Sequence, residues 1–333
     1  MAQQVRKRKQ KTINYTPNTK IADELSRGFV YRELYLHLKG QVTLTGLNNV
    51  YANILRGDEW AVITRIDIRA NGTDVIRSFD ANTLRWLNYF WYGIPPRVSP
   101  LLGAGGANPT FDAVMILPFW QPKSVRPMDT ALNSRNLSTL EVEITWGDHT
   151  SIAAAATGFT VAPTLDIYST EVFGIDGPFA QLRQFTIEKE ITADNQRFQI
   201  DLPVGNMYRG FLINTHDAGV DDGDVINNFK LISGTTVYAD LSEEILGAAE
   251  PLRTGMFQGF SGTAFDDLFI GDGNSLDGWY LHENVMDGLN TEAIDTIGFS
   301  EIVLEFDVNV GGGTTKLLVT PFEIVPVRGG GNG

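Results

Sequence analysis

The chain contains no cysteine. That excludes disulfides, thiolate metal sites and a cysteine nucleophile, and it leaves stability to packing and assembly. Histidine is scarce as well. His37, His149, His216 and His282 are scattered, form no HxH or HxxxH pair and have no Ser/Asp constellation beside them. They are expected as surface or hydrogen-bonded structural residues. No apolar run approaches the ~20 residues of a membrane span, and no apolar stretch follows the basic start, so a secretory signal is not expected. A G-x-S-x-G elbow is missing, as is a phosphate-binding G-x-x-x-x-G-K-[ST] loop. Gly103-Ala104-Gly105-Gly106 has no following helix or lysine and reads as a loop. Basic charge is in deficit, 26 Lys and Arg against 40 Asp and Glu for a net charge of −14. This argues against a general nucleic-acid surface and against sequence-specific nucleic-acid binding.

What is there is globular. The 333 residues are 43% hydrophobic and 20% charged, enough for two domains or one large one. Charge is unevenly placed. Residues 1–11 carry Arg6, Lys7, Arg8, Lys9 and Lys11 and no acid, a charge of +5. Residues 12–175 sum to −2, and from residue 176 onward 25 acids face 8 bases, a charge of −17. Residues 1–20 read as a basic arm, either a solvated tail or a contact for lipid phosphate, nucleic acid or an acidic neighbouring subunit. Repeated on one assembly, such arms bind through multivalency.

Helical periodicity is rare and β-rich runs dominate. In the first half they are 31–38, 62–70, 114–119, 140–146 and 165–173; in the second, 185–191, 197–202, 210–214, 229–232, 302–310 and 316–327. Val142 and Ile144 alternate with Glu141, Glu143 and Thr145, the period of two of a half-buried strand. Turns fall between runs at Asn71-Gly72, Asp222-Gly223, Ser233-Gly234 and Gly311-Gly312-Gly313. Two segments look helical: 80–91, with Asp80 as N-cap, and 242–249, with Ser242 as N-cap. The pattern predicts an all-β protein of sandwiches or barrels with short interspersed helices.

The halves repeat. A shift of 162 residues lays Gly72-Thr73-Asp74-Val75-Ile76 on Gly234-Thr235-Thr236-Val237-Tyr238, Asp80 on Ser242, and Val142-Glu143-Ile144 on Leu304-Glu305-Phe306. A shift of 157 lays Leu165-Asp166-Ile167 on Phe322-Glu323-Ile324. Their common order predicts an internally duplicated β-sandwich, with a break at 173–178. The expected layout is an arm at 1–20, a first sandwich at 21–175, a second at 176–327 and a flexible tail at 328–333.

Catalytic constellations are not evident. The acid clusters 221–224 and 266–277 offer oxygens for calcium but miss the EF-hand spacing, and solvated loops are the reading. Glu141 and Glu143 could form a glycosidase pair; a solvent-facing strand explains them as well. Arg56-Gly57-Asp58 matches an adhesion tripeptide and reads as a turn. The aromatics Trp86, Tyr89, Phe90, Trp91 and Tyr92 suit a core or an interface centre.

Residues 60–77, WAVITRIDIRANGTDVIR, followed by the helix from Asp80, resemble the first sandwich of the double jelly-roll major capsid proteins of tailless, internal-membrane-containing bacterial viruses, of corticovirus, tectivirus and finnlakevirus type in the adenovirus-like lineage. The resemblance implies two tandem eight-stranded jelly rolls, no enzymatic activity and no cofactor or metal. It implies a homotrimer presenting six similar sandwiches, a pseudo-hexameric capsomer tiling an icosahedral shell over an internal membrane. Partners would be neighbouring capsomers and minor capsid, penton or cement proteins. The arm residues Arg6, Lys7, Arg8, Lys9 and Lys11 would lie at the inner end, against the viral membrane or a neighbouring subunit. The protein would reside in the virion after assembly in the host cytoplasm. The alternative is a receptor- or carbohydrate-binding viral spike or lectin-like sandwich.

Overall fold

The computed structural model describes residues 4–44, 58–93, 110–152, 156–175, 180–217, 220–221, 225–247, 278–285, 288–310 and 315–326. Among them, the chain forms two compact units that change over between Gln181 and Leu182, with Lys123–Arg126 belonging to the second.

The first unit contains β1 (Gln4–Asn14), β2 (Lys20–Glu24), β3 (Val30–Leu44), β4 (Ile63–Ala70), β5 (Asp74–Phe79), α1 (Ala81–Tyr92), β6 (Thr110–Pro118), β7 (Leu132–Asn133), β8 (Leu140–Trp146) and β9 (Ala156–Phe173). Eight of these strands make two antiparallel four-stranded arrays, β1-β9-β3-β6 and β5-β4-β8-β2, while β7 is a short addition to β3. Alternation drives the assembly. On β8, Leu140, Val142, Ile144 and Trp146 are buried while Glu141, Glu143 and Thr145 are half-buried. On β6, Phe111, Ala113, Met115 and Leu117 face the same interior. Each buried aliphatic or aromatic side chain contributes about 1.5–3 kcal/mol. Gly40 on β3 lies opposite Phe111, whose ring would sit 2.3 Å from an added Cβ. The ring takes the space a side chain would need.

Helix α1 begins where expected. The Asp80 carboxylate accepts from Thr83 N at 2.5 Å, and Gly93 ends the helix in the left-handed region at φ 69°. Its aromatics are packed away: Trp86, Leu87, Tyr89, Phe90 and Trp91 are all buried within the chain. Asn88 does more than pack. Its amide donates to Ile116 O at 2.6 Å and its carbonyl accepts from Ile116 N at 2.8 Å. The side chain thus pairs with edge strand β6 as another strand would.

The second unit contains β10 (Ala180–Phe185), β11 (Ile187–Ile191), β12 (Asn195–Asp201), β13 (Met207–Asp217), β14 (Val220–Asp221), β15 (Ile226–Ser233), β16 (Thr236–Ser242), β17 (Trp279–Glu283), β18 (Ile294–Asp295), β19 (Val303–Val308) and β20 (Thr315–Pro326); β10 begins two residues before the change-over. Here β11 pairs with β20, β20 with β13 and β13 with β17, while a second array runs β12-β19-β15-β16. The core between them includes Tyr208, Phe211, Ile213, Phe229, Leu231, Leu304, Phe306, Leu317 and Val319. The segment expected to be helical at 242–249 is helical at 243–247, and Ser242 closes β16.

These pairings are those of the first unit. The orders β1-β9-β3-β6 and β5-β4-β8-β2 become β11-β20-β13-β17 and β16-β15-β19-β12. Detail repeats too. Tyr31 opposes Glu171 and donates to Ser26 O at 2.6 Å; Tyr208 opposes Glu323 and donates to Pro203 O at 2.6 Å. A one-residue irregularity follows each tyrosine. The Ser134 hydroxyl donates to Phe29 O at 2.7 Å, and the Thr296 hydroxyl donates to Asn206 O at 2.6 Å. Gly28 and Gly205 precede these contacts in the left-handed region, at φ 103° and 95°. The shift is therefore 177 residues before the first long connection, 162 through the middle and 152 at the last strand. The last value corrects the sequence match of 157. Glu171 corresponds to Glu323, and Leu165 and Ile167 correspond to Leu317 and Val319, all four of the latter buried. The 157 alignment is off by five, an odd slip that exchanges the two faces of the strand; it still finds apolar residues because Phe322 and Ile324 are buried as well as Leu317 and Val319.

Candidate functional site

The five cations singled out in the sequence lie on β1. Residues 4–14, read from the sequence as part of an arm, form the first strand of the first sandwich, paired with β9 from Gln4 opposite Phe173 to Asn14 opposite Thr164. The strand escaped periodic reading because only Val5 and Ile13 are aliphatic in QVRKRKQKTIN. Its polar side chains are held by polar groups on β9 and not by an apolar core.

Glu171 organises one group. Its side chain is fully buried, on the row of β9 that also carries Leu165, Ile167 and Ser169. Arg6 donates from Nε at 2.7 Å, Arg8 from Nε at 2.8 Å and Gln10 from Nε2 at 2.5 Å. Arg6 and Arg8 also lie over the rings of Phe173 and Phe29, at 4.9 and 5.6 Å from their centroids. A buried carboxylate needs such partners, since an uncompensated buried charge costs several kcal/mol. Asp166 organises the second group. Lys9 approaches at 2.6 Å, Lys39 from β3 at 3.2 Å, and Thr12 donates at 2.7 Å. Burial alone would raise the Asp166 pKa, but the hydrogen bonds from Lys9, Thr12 and Lys39 outweigh it and hold the carboxyl at about 2. The hydrogen bond to Asp166 raises the Lys9 pKa in turn. Lys11 pairs with Asp23 of β2 at 2.6 Å. Lys7 rests over the Tyr35 ring and donates to its hydroxyl at 3.3 Å.

The second unit keeps the carboxylate and changes its partners. Glu323 accepts from Asn206 Nδ2 at 2.6 Å. Burial raises its pKa, opposed by Asn206, by the Arg183 guanidinium and by Tyr208. Under the 177-residue shift Arg183 is the counterpart of Arg6. The sequence reading did not find these two buried glutamates; the signal was the pair of tyrosines facing them.

The remaining sequence candidates are dispersed. Glu143 is ion-paired with Lys20 at 2.5 Å and Arg69 at 2.6 Å on the outer row of β8. That is a charged sheet face. His37 contacts Asp112 at 2.6 Å, His282 stacks on Phe211 at 6.4 Å, and His149 lies edge-on to Phe159 at 6.3 Å. Among the described residues no group of three or more His, Asp and Glu could hold a metal ion. No described helix is long and apolar enough to cross a membrane. Arg56-Gly57, the loop at 103–106, the acid cluster at 266–277 and the tail at 328–333 lie outside the described residues, as do the side chains of 221–224.

No family model matches the chain, and no curated protein sequence matches it. Solved structures do. The major capsid protein of Sulfolobus turreted icosahedral virus, STIV MCP, superposes with a TM-score of 0.71 at 13% identity, covering 97% of both chains. The major capsid protein P2 from bacteriophage PM2 gives 0.65 at 14% identity, covering 98% of this chain and all (100%) of that one. The Faustovirus major capsid protein gives 0.59 at 8% identity over 98% and 91% of the two chains. The chain is a double jelly roll. The match covers 97–98% of the chain. These neighbours are structural proteins of capsids and not enzymes.

Proposed function

We propose that this double jelly roll is a viral major capsid protein, present in the virion and assembled in the host cytoplasm. One observation carries the reading: a single chain holds two sandwiches with the same strand order and the same corner hydrogen bonds. Three such chains around an axis present six similar modules. Closed threefold symmetry then yields a pseudo-hexameric block able to tile an icosahedral shell. An obligate interface of this kind buries more than ~2,000 Å². The shell is proposed to enclose an internal membrane and to be completed by minor capsid, penton or cement proteins. Of the two proposed contacts for Arg6, Lys7, Arg8, Lys9 and Lys11, a neighbouring subunit is the better supported. Four of the five already neutralise Glu171, Asp166 and Asp23, which leaves little positive charge for lipid phosphate.

Light scattering on the purified chain tests the reading. A species of three chains at micromolar concentration, with a six-cornered outline by electron microscopy, is the expected result. A monodisperse monomer would overturn it.

A further inference from the structure

The duplication makes the two units comparable strand by strand, and one pair of strands differs sharply in burial. In the first unit, Ile76, Arg77, Ser78 and Phe79 of β5 are all buried. Its counterpart β16 ends the array β16-β15-β19-β12, and among the described residues it pairs only with β15. It is open. Val237 is 53% and Tyr238 43% exposed, where the corresponding Val75 is half-buried and Ile76 is 1% exposed. Phe299 stacks on Tyr238 at 6.0 Å. The strand continues into Asp240, Glu243 and Glu244, within the acidic half of the chain. An edge that is long, partly apolar and lined with free backbone groups invites another strand.

The chain carries a matching edge. β1 pairs only with β9 among the described residues and ends its own array. It presents Val5, 56% exposed, between Gln4 and the cations Arg6, Lys7 and Arg8. Apolar Val5 suits Val237 and Tyr238, and Lys7, which rests on Tyr35 and not on a carboxylate, suits Asp240 and Glu244. A basic edge on one unit and an acidic edge on the other can repeat head to tail, a heterologous contact that closes into a ring when the rotation allows.

Resting on the capsomer reading, we infer that the occupant of the β16 edge is a second copy of this chain, whose β1 edge docks along β16 by strand pairing. The contact repeats head to tail around the trimer. Each copy then gives one basic edge and receives one.

The natural lack of cysteine makes the test clean. A chain carrying Val5→Cys and Val237→Cys is oxidised and run without reductant. The expected result is a covalent ladder ending at three chains, with the three-chain product dominant. Products limited to one chain would overturn the inference. Separately, a donor-blocked variant (Val5→Asp, Lys7→Glu) and an acceptor-blocked variant (Val237→Asp, Tyr238→Asp) are checked for folding by circular dichroism and sized alone and mixed. Each alone should drop from three chains to one, and the mixture should recover two-chain species and no ring. Variants that fold and still form trimers would overturn the docking while leaving the capsomer reading standing. A monomeric unmodified chain would overturn the capsomer reading itself.

Discussion

At the scale of single residues, two carboxylates, one in each unit, have opposite relationships with acid. Asp166 has its pKa depressed to about 2 in the folded protein, against ~3.9 for a free aspartate. Its contribution to stability is therefore present above pH ~4 and is lost as pH falls from ~4 towards 2. Glu323 has a raised pKa, mainly from burial. Its ionisation opposes folding, so its contribution is greatest below its unfolded value and declines as pH rises through the folded one. Asp166→Asn should flatten the acid limb of a urea-midpoint-against-pH curve. Glu323→Gln, which imitates the protonated acid, should leave the midpoint at pH 7 unchanged or raised. Loss of more than ~1 kcal/mol with Glu323→Gln would contradict this account. None of it was legible in the sequence, where Asp166 and Glu323 are ordinary acids in β-rich runs and their partners lie more than a hundred residues away.

At the scale of elements, legibility followed the origin of each strand's burial. β8 and β4 alternate because an apolar core lies on one side, and their limits were read nearly to the residue. β1 does not alternate, because its inward residues Arg6 and Arg8 meet a carboxylate. Its strand character becomes visible only through the eight-strand requirement of a jelly roll. α1 was legible from its cap, but not its work. Asn88 closes the β6 backbone through both halves of its amide. Asn88→Leu keeps the side-chain volume and removes both hydrogen bonds, leaving a buried donor and acceptor without partners at about 1–3 kcal/mol each. Thermal unfolding should show a loss of about 2–4 kcal/mol in total. A change within ~0.5 kcal/mol would show that water replaces the amide.

At the scale of the whole molecule, residues 4–14 are part of the body and not an appendage. Removing them takes away a strand, leaves Glu171 buried without its two arginines and bares the β9 edge. Such a truncated chain should unfold at lower denaturant concentration and aggregate, where loss of a passive tail would leave the midpoint unaltered. Guanidinium titration followed by tryptophan fluorescence distinguishes the two. The charge asymmetry was readable from the sequence and keeps its meaning at this scale. The duplication was readable in order and, at the shift of 162, in register; the match at 157 slipped because the end of β20 is buried on both faces.

The paired tyrosine corners reach further than this molecule. After two halves of one gene have drifted until most of their letters disagree, what endures is a glycine, a tyrosine three residues on, and a hydroxyl amino acid that clips the glycine's neighbour from roughly a hundred positions downstream. Distant kin invisible to ordinary alignment could be recognised by finding that sparse signature twice in a single reading frame.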